Sequence, residues 1–313
     1  MRILFMGTPE FALVSLQKLL EAGEKVIGVV TQPDRPRGRG RRVTASPVKA
    51  LALKKNIPVY QPERLKDIDA IEKLRSFAPD LIIVVAYGKI LPREVLHIPP
   101  LGCINLHASL LPRYRGAAPI HWALLRGEEV TGVTTMYVDE GMDTGDIILQ
   151  EEVPILPEDN VGTLHDKLAD TGARLLLDTV ARIKAGTAPR IPQPEEGVTY
   201  APPLERTDEI LDWNKPAREL WFQVRGLNPW PGAMTYWQGE LLKVWEVFPL
   251  EKGGDAAPGE VIAVDKREGI LVGTGEGILR LDQVQPAGKQ KMTASDFARG
   301  YGVKGGLFFG SDA

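Results

Sequence analysis

Cysteine is all but missing from this 313-residue chain: Cys103 stands alone, which excludes an intramolecular disulfide. Set in an apolar run, it reads as a small core residue rather than a reactive thiol. No stretch comes near the roughly 18 consecutive apolar residues of a membrane-spanning helix, so no membrane partner is expected. The start, Met1-Arg2-Ile3-Leu4-Phe5-Met6-Gly7, lacks the longer apolar segment and cleavage site of a secretory signal and reads as a first strand. A soluble, cytoplasmic, monomeric protein is the expectation. The turn that follows, Gly7-Thr8-Pro9-Glu10, lacks a G-x-G-x-x-G fingerprint, which argues against dinucleotide binding. An excess of positive charge is missing too. With 38 Lys and Arg against 41 Asp and Glu, the net charge is −3, so any polyanion has to be met by a local patch. Residues 208–313 carry 12 basic and 15 acidic side chains, which leaves residues 1–207 balanced at 26 of each.

What is present is apolar periodicity. At 43% hydrophobic residues the chain supports a sizeable core in one large or two smaller domains. Runs at Arg2–Met6, Lys25–Thr31, Asp80–Ala86 and Leu101–His107 read as buried strands. Helical patterns fall between them at Phe11–Glu21, Pro47–Lys55 and Asp69–Phe77, and another follows at Pro119–Arg126. This alternation predicts an α/β fold, a doubly wound, mostly parallel sheet of Rossmann-like type. Two further strands, from Val133 to Val138 and up to Val153, precede a long helix from Asn160 to Lys184, with Asn160 as its N-cap. Prolines at 189, 192, 194, 202 and 203 then interrupt regular structure. Beyond a helix near Lys215–Arg225, five short strands with Gly-rich turns suggest a small C-terminal OB-like β-barrel. The expected division is a domain over 1–188, a linker over 189–207 and the barrel over 208–313.

Histidine is scarce, four in all, and one is placed unlike the rest. His97 precedes Pro99-Pro100 and reads as a surface or capping residue, whereas His121 and His165 fit helical packing positions. His107 ends a buried strand, and Asn105 lies two residues before it, on the same face. The Ser109-Leu110-Leu111-Pro112 turn follows. Two neutral polar heads beside a turn rich in backbone N–H groups suit oxyanion stabilisation and proton transfer. A second candidate is the loop holding Asp139, Asp143 and Asp146, interleaved with Gly141 and Gly145. It reads as a metal loop, as a solvated turn, or as the source of an Asp that orients His107. Its spacing does not match an EF-hand, and Asp143, between the glycines, is the best placed for the last role. A third is Arg35, Arg37, Arg39, Arg41 and Arg42, five arginines within eight residues, interleaved with Gly and Pro. That is either a solvated loop or a set of phosphate contacts ordered on binding. Lys289 and Lys291 are the local basic candidates of the second domain, and Trp230, between two prolines, reads as base-stacking or as packing.

These motifs carry a resemblance. Asn105-x-His107-x-Ser109-Leu110-Leu111-Pro112, then Arg115-Gly116, then Asp139-x-Gly141-x-Asp143-Thr144-Gly145-Asp146, resembles the signature of folate-dependent formyltransferases. Gly7–Ala12, Thr31–Pro36, Val85–Gly88 and Asn228–Pro231 extend the likeness, across essentially the whole chain, to those acting on charged tRNA. The resemblance implies transfer of the formyl group of 10-formyltetrahydrofolate to the α-amine of methionine on initiator tRNA, with no metal. It implies Asn105, His107 and Asp143 as the catalytic trio, with Asp143 holding His107 in the useful tautomer. It implies that Ser109, Leu110, Leu111, Pro112, Ile90, Leu91 and Val138 surround the folate. The arginine loop, Arg39 above all, and the C-terminal domain would meet the tRNA. The competing readings are a formyltransferase acting on an amino-sugar nucleotide or another small amine, a formyltetrahydrofolate hydrolase, and a non-catalytic RNA-binding protein.

Overall fold

The computed structural model describes residues 1–37, 42–250, 256–265 and 269–310. They form two compact units interleaved along the chain. The first takes Met1–Pro119, Val130–Pro154 and His165–Pro202; the second takes Ile120–Glu129, Ile155–Leu164 and the chain from Pro203.

The first unit is built on a seven-stranded sheet. Its order is Ile147–Pro154, Val130–Tyr137, Cys103–His107, Leu81–Val85, Ile3–Gly7, Val26–Val30 and Val59–Tyr60. Ile3–Gly7 and Leu81–Val85 are buried at every position, which is why they read as unbroken apolar runs. Val130–Tyr137 alone runs against the others, antiparallel to both its neighbours. Cys103–His107 is therefore parallel to Leu81–Val85 on one side and antiparallel to Val130–Tyr137 on the other. The chain leaves Ile3–Gly7 toward Val26–Val30 on one side and resumes at Leu81–Val85 on the other, so the connection direction changes between those two strands. Cys103–His107 is the next strand out, with its carboxyl end on the same edge of the sheet, the usual side for a site in a doubly wound fold.

Side-chain caps start two of the expected helices. Ser46 Oγ accepts the Lys49 N–H at 3.1 Å ahead of Pro47–Lys54. Asn160 Oδ1 accepts from the N–H groups of Gly162 and Thr163 at 2.9 and 3.0 Å ahead of Val161–Ala185. Leu168, Leu175, Leu176 and Val180 of that long helix are buried. So is Thr179, whose hydroxyl donates to Leu175 O at 2.8 Å and pairs with Thr135 Oγ1 of the sheet at 2.7 Å. Residues 189–207, expected as a linker, carry two pairings of the first unit: Ile191 bridges Ile147, and Tyr200–Ala201 runs parallel to Arg115–Gly116. Prolines break the run into pieces too short for a periodic signal, yet leave these backbone groups free to pair.

The second unit is a six-stranded antiparallel sheet. Its order is Ala233–Trp237, Glu240–Leu250, Ile278–Pro286, Gly269–Gly273 and Val261–Asp265, with Met292–Thr293 added to Ile278–Pro286. Among the described residues these pairings do not close the sheet on itself. Irregular segments occupy its edges instead: Leu211 N–H donates to Met234 O, and Val261 N–H donates to Leu307 O. Register shifts around Glu246 bend the long central strand over a core that includes Trp213, Leu220, Trp237, Leu281 and Phe297. The helix Ala294–Tyr301, not foreseen, is short enough to hide its period, but its ends are marked. Thr293 Oγ1 accepts from Asp296 N–H at 3.1 Å, and Gly302 ends it with φ +66°.

Because Thr179 spends its proton on Leu175, Thr135 has to donate to Thr179. Thr179→Val would leave a fully buried donor with no acceptor, and denaturant unfolding should show a loss of about 1–3 kcal/mol. Adding Thr135→Val should recover part of that loss.

Candidate active site

The site strand Cys103–His107 places Asn105 half-buried and His107 almost fully buried, at 6% exposure, on one face of the pleat. The Asn105 side-chain amide makes no hydrogen bond among the described residues, so its donors are free. Cys103, on the same phase but at the start of the strand, is buried, and burial pushes its thiol up to about 12, so it stays protonated and inert.

His107 is held by its ring. Nε2 lies 2.9 Å from the carbonyl oxygen of Tyr114. A carbonyl only accepts, so Nε2 carries the proton and donates it there. The remaining ring nitrogen, Nδ1, lies 3.7 Å from Asp143 Oδ2. This corrects one expectation: the Tyr114 carbonyl, not Asp143, sets the tautomer. Tyr114 offers that carbonyl from a left-handed backbone, φ +59°, with its own N–H donated to Thr199 Oγ1 at 2.8 Å.

Each aspartate of the acidic loop has a separate place. Asp139 closes the loop on itself, accepting from Gly141 N–H at 3.0 Å and from the Thr144 hydroxyl at 2.8 Å. Asp146 pairs with Arg190 at 3.5 Å, and the Arg190 guanidinium stacks on Tyr137. Asp143 alone turns to His107, and its Oδ2 also accepts the Gly116 N–H at 2.9 Å. Asp143 has φ +54°, a left-handed conformation for a residue with a Cβ. Gly145 is required, since a Cβ there would lie 1.8 Å from Tyr137 O.

The Ser109–Pro112 turn is pinned from beneath. The register puts Thr134 opposite His107. Its hydroxyl donates to Ser109 O at 2.7 Å, accepts Leu111 N–H at 3.2 Å and takes a hydrogen bond from Gln150 Nε2 at 2.9 Å. Ser109 is fully buried and donates to Arg113 O at 2.6 Å. Leu111 is buried with Met136 and Ile147, and the Leu111–Pro112 peptide is cis. The half-exposed side chains of this turn are therefore Leu110 and Pro112. Of the other predicted folate contacts, Ile90 is 80% exposed, Leu91 is buried in the core with Val95 and Cys103, and half-buried Val138 packs against that core. Met142 is 59% exposed. Ile90 and Met142 are thus large apolar side chains left in water on two neighbouring loops. Arg93 and Glu140, 3.3 Å apart, join those loops.

The arginine loop begins as a two-stranded ribbon, Arg35–Arg37 against Arg42–Thr44, with Arg35 exposed. Arg39 and Arg41 lie outside the described residues, as do the side chains of Arg37 and Arg42. The ribbon stands on a polar footing. Asp34 takes Lys49 Nζ at 2.5 Å and Gln61 Nε2 at 2.9 Å, and these bonds hold its carboxyl below the usual range. In the second unit Lys291 and Lys243 lie over the Trp245 ring at 4.8 and 5.3 Å, Lys289 is exposed, and Trp230 stands half-exposed, edge-on to His121. Among the described residues no group of three or more His, Cys, Asp or Glu side chains could hold a metal, and no helix is long and apolar enough to cross a membrane.

A doubly wound sheet with an amide, an imidazole and a carboxylate gathered at the carboxyl end of one strand defines a class of α/β enzyme in which a donor and an acceptor meet at that strand end. The particular family follows from comparison. Residues 1–180 match the Formyl transferase model and 203–302 the Formyl transferase, C-terminal domain model, and the chain belongs to this formyltransferase family. It is 53% identical over 312 residues to the methionyl-tRNA formyltransferase of Pelotomaculum thermopropionicum, covering 99% of each chain. It is 56% identical to that of Symbiobacterium thermophilum, covering 99% of this chain and 95% of that one. Among solved structures, HypX from Aquifex aeolicus in complex with tetrahydrofolic acid has a TM-score of 0.64 at 20% identity, over 95% of this chain. This chain spans 47% of that protein. An N-formyltransferase from Helicobacter canadensis, in complex with folinic acid and dTDP-3-aminofucose, scores 0.65 at 18% identity, covering 93% of this chain and 99% of that one. At such identities the solved structures speak to fold alone.

Residues missing from the sequence reading are Gln193 and Thr199, hidden in the Pro-rich run, and Thr134 and Gln150 beneath the turn. Thr134 had one available signal: it falls within a β-branched strand that could pair with the site strand. Gly145→Ala should push the Asp143 loop off Tyr137, and turnover should fall at least tenfold with the unfolding midpoint lowered, measured by steady-state kinetics and thermal denaturation.

Proposed function

We propose that the protein transfers the formyl group of 10-formyltetrahydrofolate to the α-amino group of methionine on initiator tRNA, the step that prepares this tRNA for translation initiation. The observation that carries the reading is the meeting of His107 Nδ1 and the Asp143 carboxylate beside the free Asn105 amide. The full-length similarity to methionyl-tRNA formyltransferases supports the choice of acceptor.

The residues present fit a folate. Ile90 and Met142 offer apolar faces to a ring, and the Leu110–Pro112 turn offers its outward edge. When bound, the donor supplies an activated formyl carbon. Asn105 donates its amide N–H to the formyl oxygen as negative charge grows there; a donor of this kind is worth about 3–4 kcal/mol. The Nε2 proton of His107 is already given to Tyr114, so Nδ1 is the nitrogen left for the reaction. Asp143, beside it, receives the proton that the attacking amine loses, directly or through Nδ1. As the new amide bond forms, the bond between the formyl carbon and N10 of the donor breaks, and that proton passes to N10, releasing tetrahydrofolate. The Gly116 N–H keeps one carboxylate oxygen aimed at the ring.

The acceptor is met elsewhere. Arg35 and its neighbours on the ribbon, together with Lys289 and Lys291, are read as phosphate contacts. The second unit, with its bent antiparallel sheet, is read as an OB-like tRNA-binding module, and the working division of the chain is 1–188, 189–207 and 208–313. The reaction takes place where initiator tRNA is charged, in the cytoplasm.

Purified protein, formyl donor and charged initiator tRNA should yield formylmethionyl-tRNA, and charged elongator tRNA should yield far less. Equal formylation of both, or release of formate with no tRNA present, would replace this reading. Asn105→Ala and Asp143→Asn should each lower turnover by at least a hundredfold with folate binding within about threefold; near-normal turnover in either removes that residue from the trio. Binding of the tRNA should weaken steeply with added salt, on a log–log slope of several units, where a small nucleotide acceptor would give a shallow one.

A further inference from the structure

We propose that Gln193 is a positioning residue for the reaction, holding the Asp143 loop in its left-handed backbone through a hydrogen-bonded relay from buried Arg115. The inference rests on Asp143 belonging to the trio.

The relay has an unambiguous polarity. Arg115 is 9% exposed, and its Nε and Nη2 both donate to Gln193 Oε1, at 3.1 and 2.7 Å. A guanidinium only donates, so the Gln193 oxygen faces it and the NH2 faces away. That NH2 donates to the carbonyl oxygens of Asp143 and Gly145, each at 2.8 Å. Those carbonyls bracket Thr144, so one amide grips both ends of the turn that aims the carboxylate. A residue with a Cβ stays at φ +54° only where its surroundings over-determine it. Here the carbonyl is held by Gln193 and the carboxylate by Gly116 N–H.

The other end of the grip comes from the same segment of chain. Arg115 N–H donates to Thr199 O, and the N–H groups of Ala117 and Ala118 donate to Ala201 O. Gly116 lies so close to this return strand that a Cβ would sit 2.7 Å from Ala201 O. Residues 193–201 thus fix the loop that carries Asp143 and the strand that hydrogen-bonds its carboxylate. No step of the reaction needs Gln193 to touch substrate.

Three variants separate positioning from bulk structure. Gln193→Glu keeps an acceptor for Arg115 but removes the donors to the two carbonyls; Gln193→Ala removes both. The inference expects both variants to lose about 10–100-fold in kcat, with KM for the formyl donor and for tRNA within about threefold and each variant folded by circular dichroism. Gln193→Asn, which retains the donors on a shorter stem, should recover part of the loss. Gln193→Glu near wild-type kcat, or a loss confined to KM, would overturn the role. So would a Gln193→Ala loss that is equally large in an Asp143→Asn background, measured in single-turnover reactions with excess enzyme, because a residue acting through Asp143 has nothing left to position there. Should Gln193→Ala fail to fold, the Gln193→Glu and Gln193→Asn comparison decides. Normal turnover in Asp143→Asn itself would sink the trio; collapse there with normal turnover in both Gln193→Ala and Gln193→Glu would sink only the relay.

Discussion

One hydrogen bond governs the site: Nε2–H of His107 to the carbonyl of Tyr114. It decides which ring nitrogen holds a proton and which is left facing Asp143, and so it decides the direction in which a proton can move. The carbonyl is in place only because Tyr114 adopts a left-handed backbone and Thr199 accepts its N–H. The turn leading into Tyr114 is anchored in turn by Thr134, the register partner of His107. The imidazole, the turn that follows it and the strand beside it are thus one connected arrangement, and the antiparallel placement of Val130–Tyr137 makes the connection possible.

How much of this was legible in the sequence follows from which features carry a period. The buried strands Ile3–Gly7, Leu81–Val85 and Cys103–His107 are continuous apolar runs, and their boundaries lie within two residues of expectation. The spacing of Asn105 and His107 was readable because a pleat alternates strictly. Which aspartate of three would face His107 was suggested by its flanking glycines, and the geometry sorts them: Asp139 to its own loop, Asp146 to Arg190, Asp143 to the imidazole. What stayed hidden were contacts between distant segments with no periodic signal. Gln193 lies among prolines, 50 residues beyond Asp143, and no local pattern marks an amide that serves two carbonyls. The ribbon Arg35–Arg37 with Arg42–Thr44 was hidden too, because arginine, glycine and proline are poor strand formers and the pairing is only three residues long. The edges of the C-terminal sheet are occupied by irregular segments around Leu211 and Leu307 that have no strand signature of their own.

The basic surface is divided in character. At the ribbon, the ion pair of Asp34 among the described residues is with Lys49, and Arg35, which follows it, is exposed. In the second unit, lysines 243 and 291 lie against one indole, and Lys243 also donates to Pro231 O at 2.6 Å. Charges held over an aromatic face in this way lose less freedom on meeting a phosphate than charges on free stems. A near-neutral protein can then offer cationic contacts at a few places without the general stickiness of a basic surface.

The return of residues 191–201 onto the first unit has a consequence for how the protein is made. Synthesis delivers Asn105, His107 and Asp143 in order, well before the segment that bonds to Tyr114, Arg115 and the Asp143 loop. The long helix Val161–Ala185 has to emerge and settle first, and only then can Gln193 and Thr199 reach their partners. A nascent chain halted short of residue 190 holds Asn105, His107 and Asp143 but neither of these fasteners. The candidate site therefore needs the first 201 residues for its full set of hydrogen bonds, and the appearance of Asp143 in the chain does not complete it.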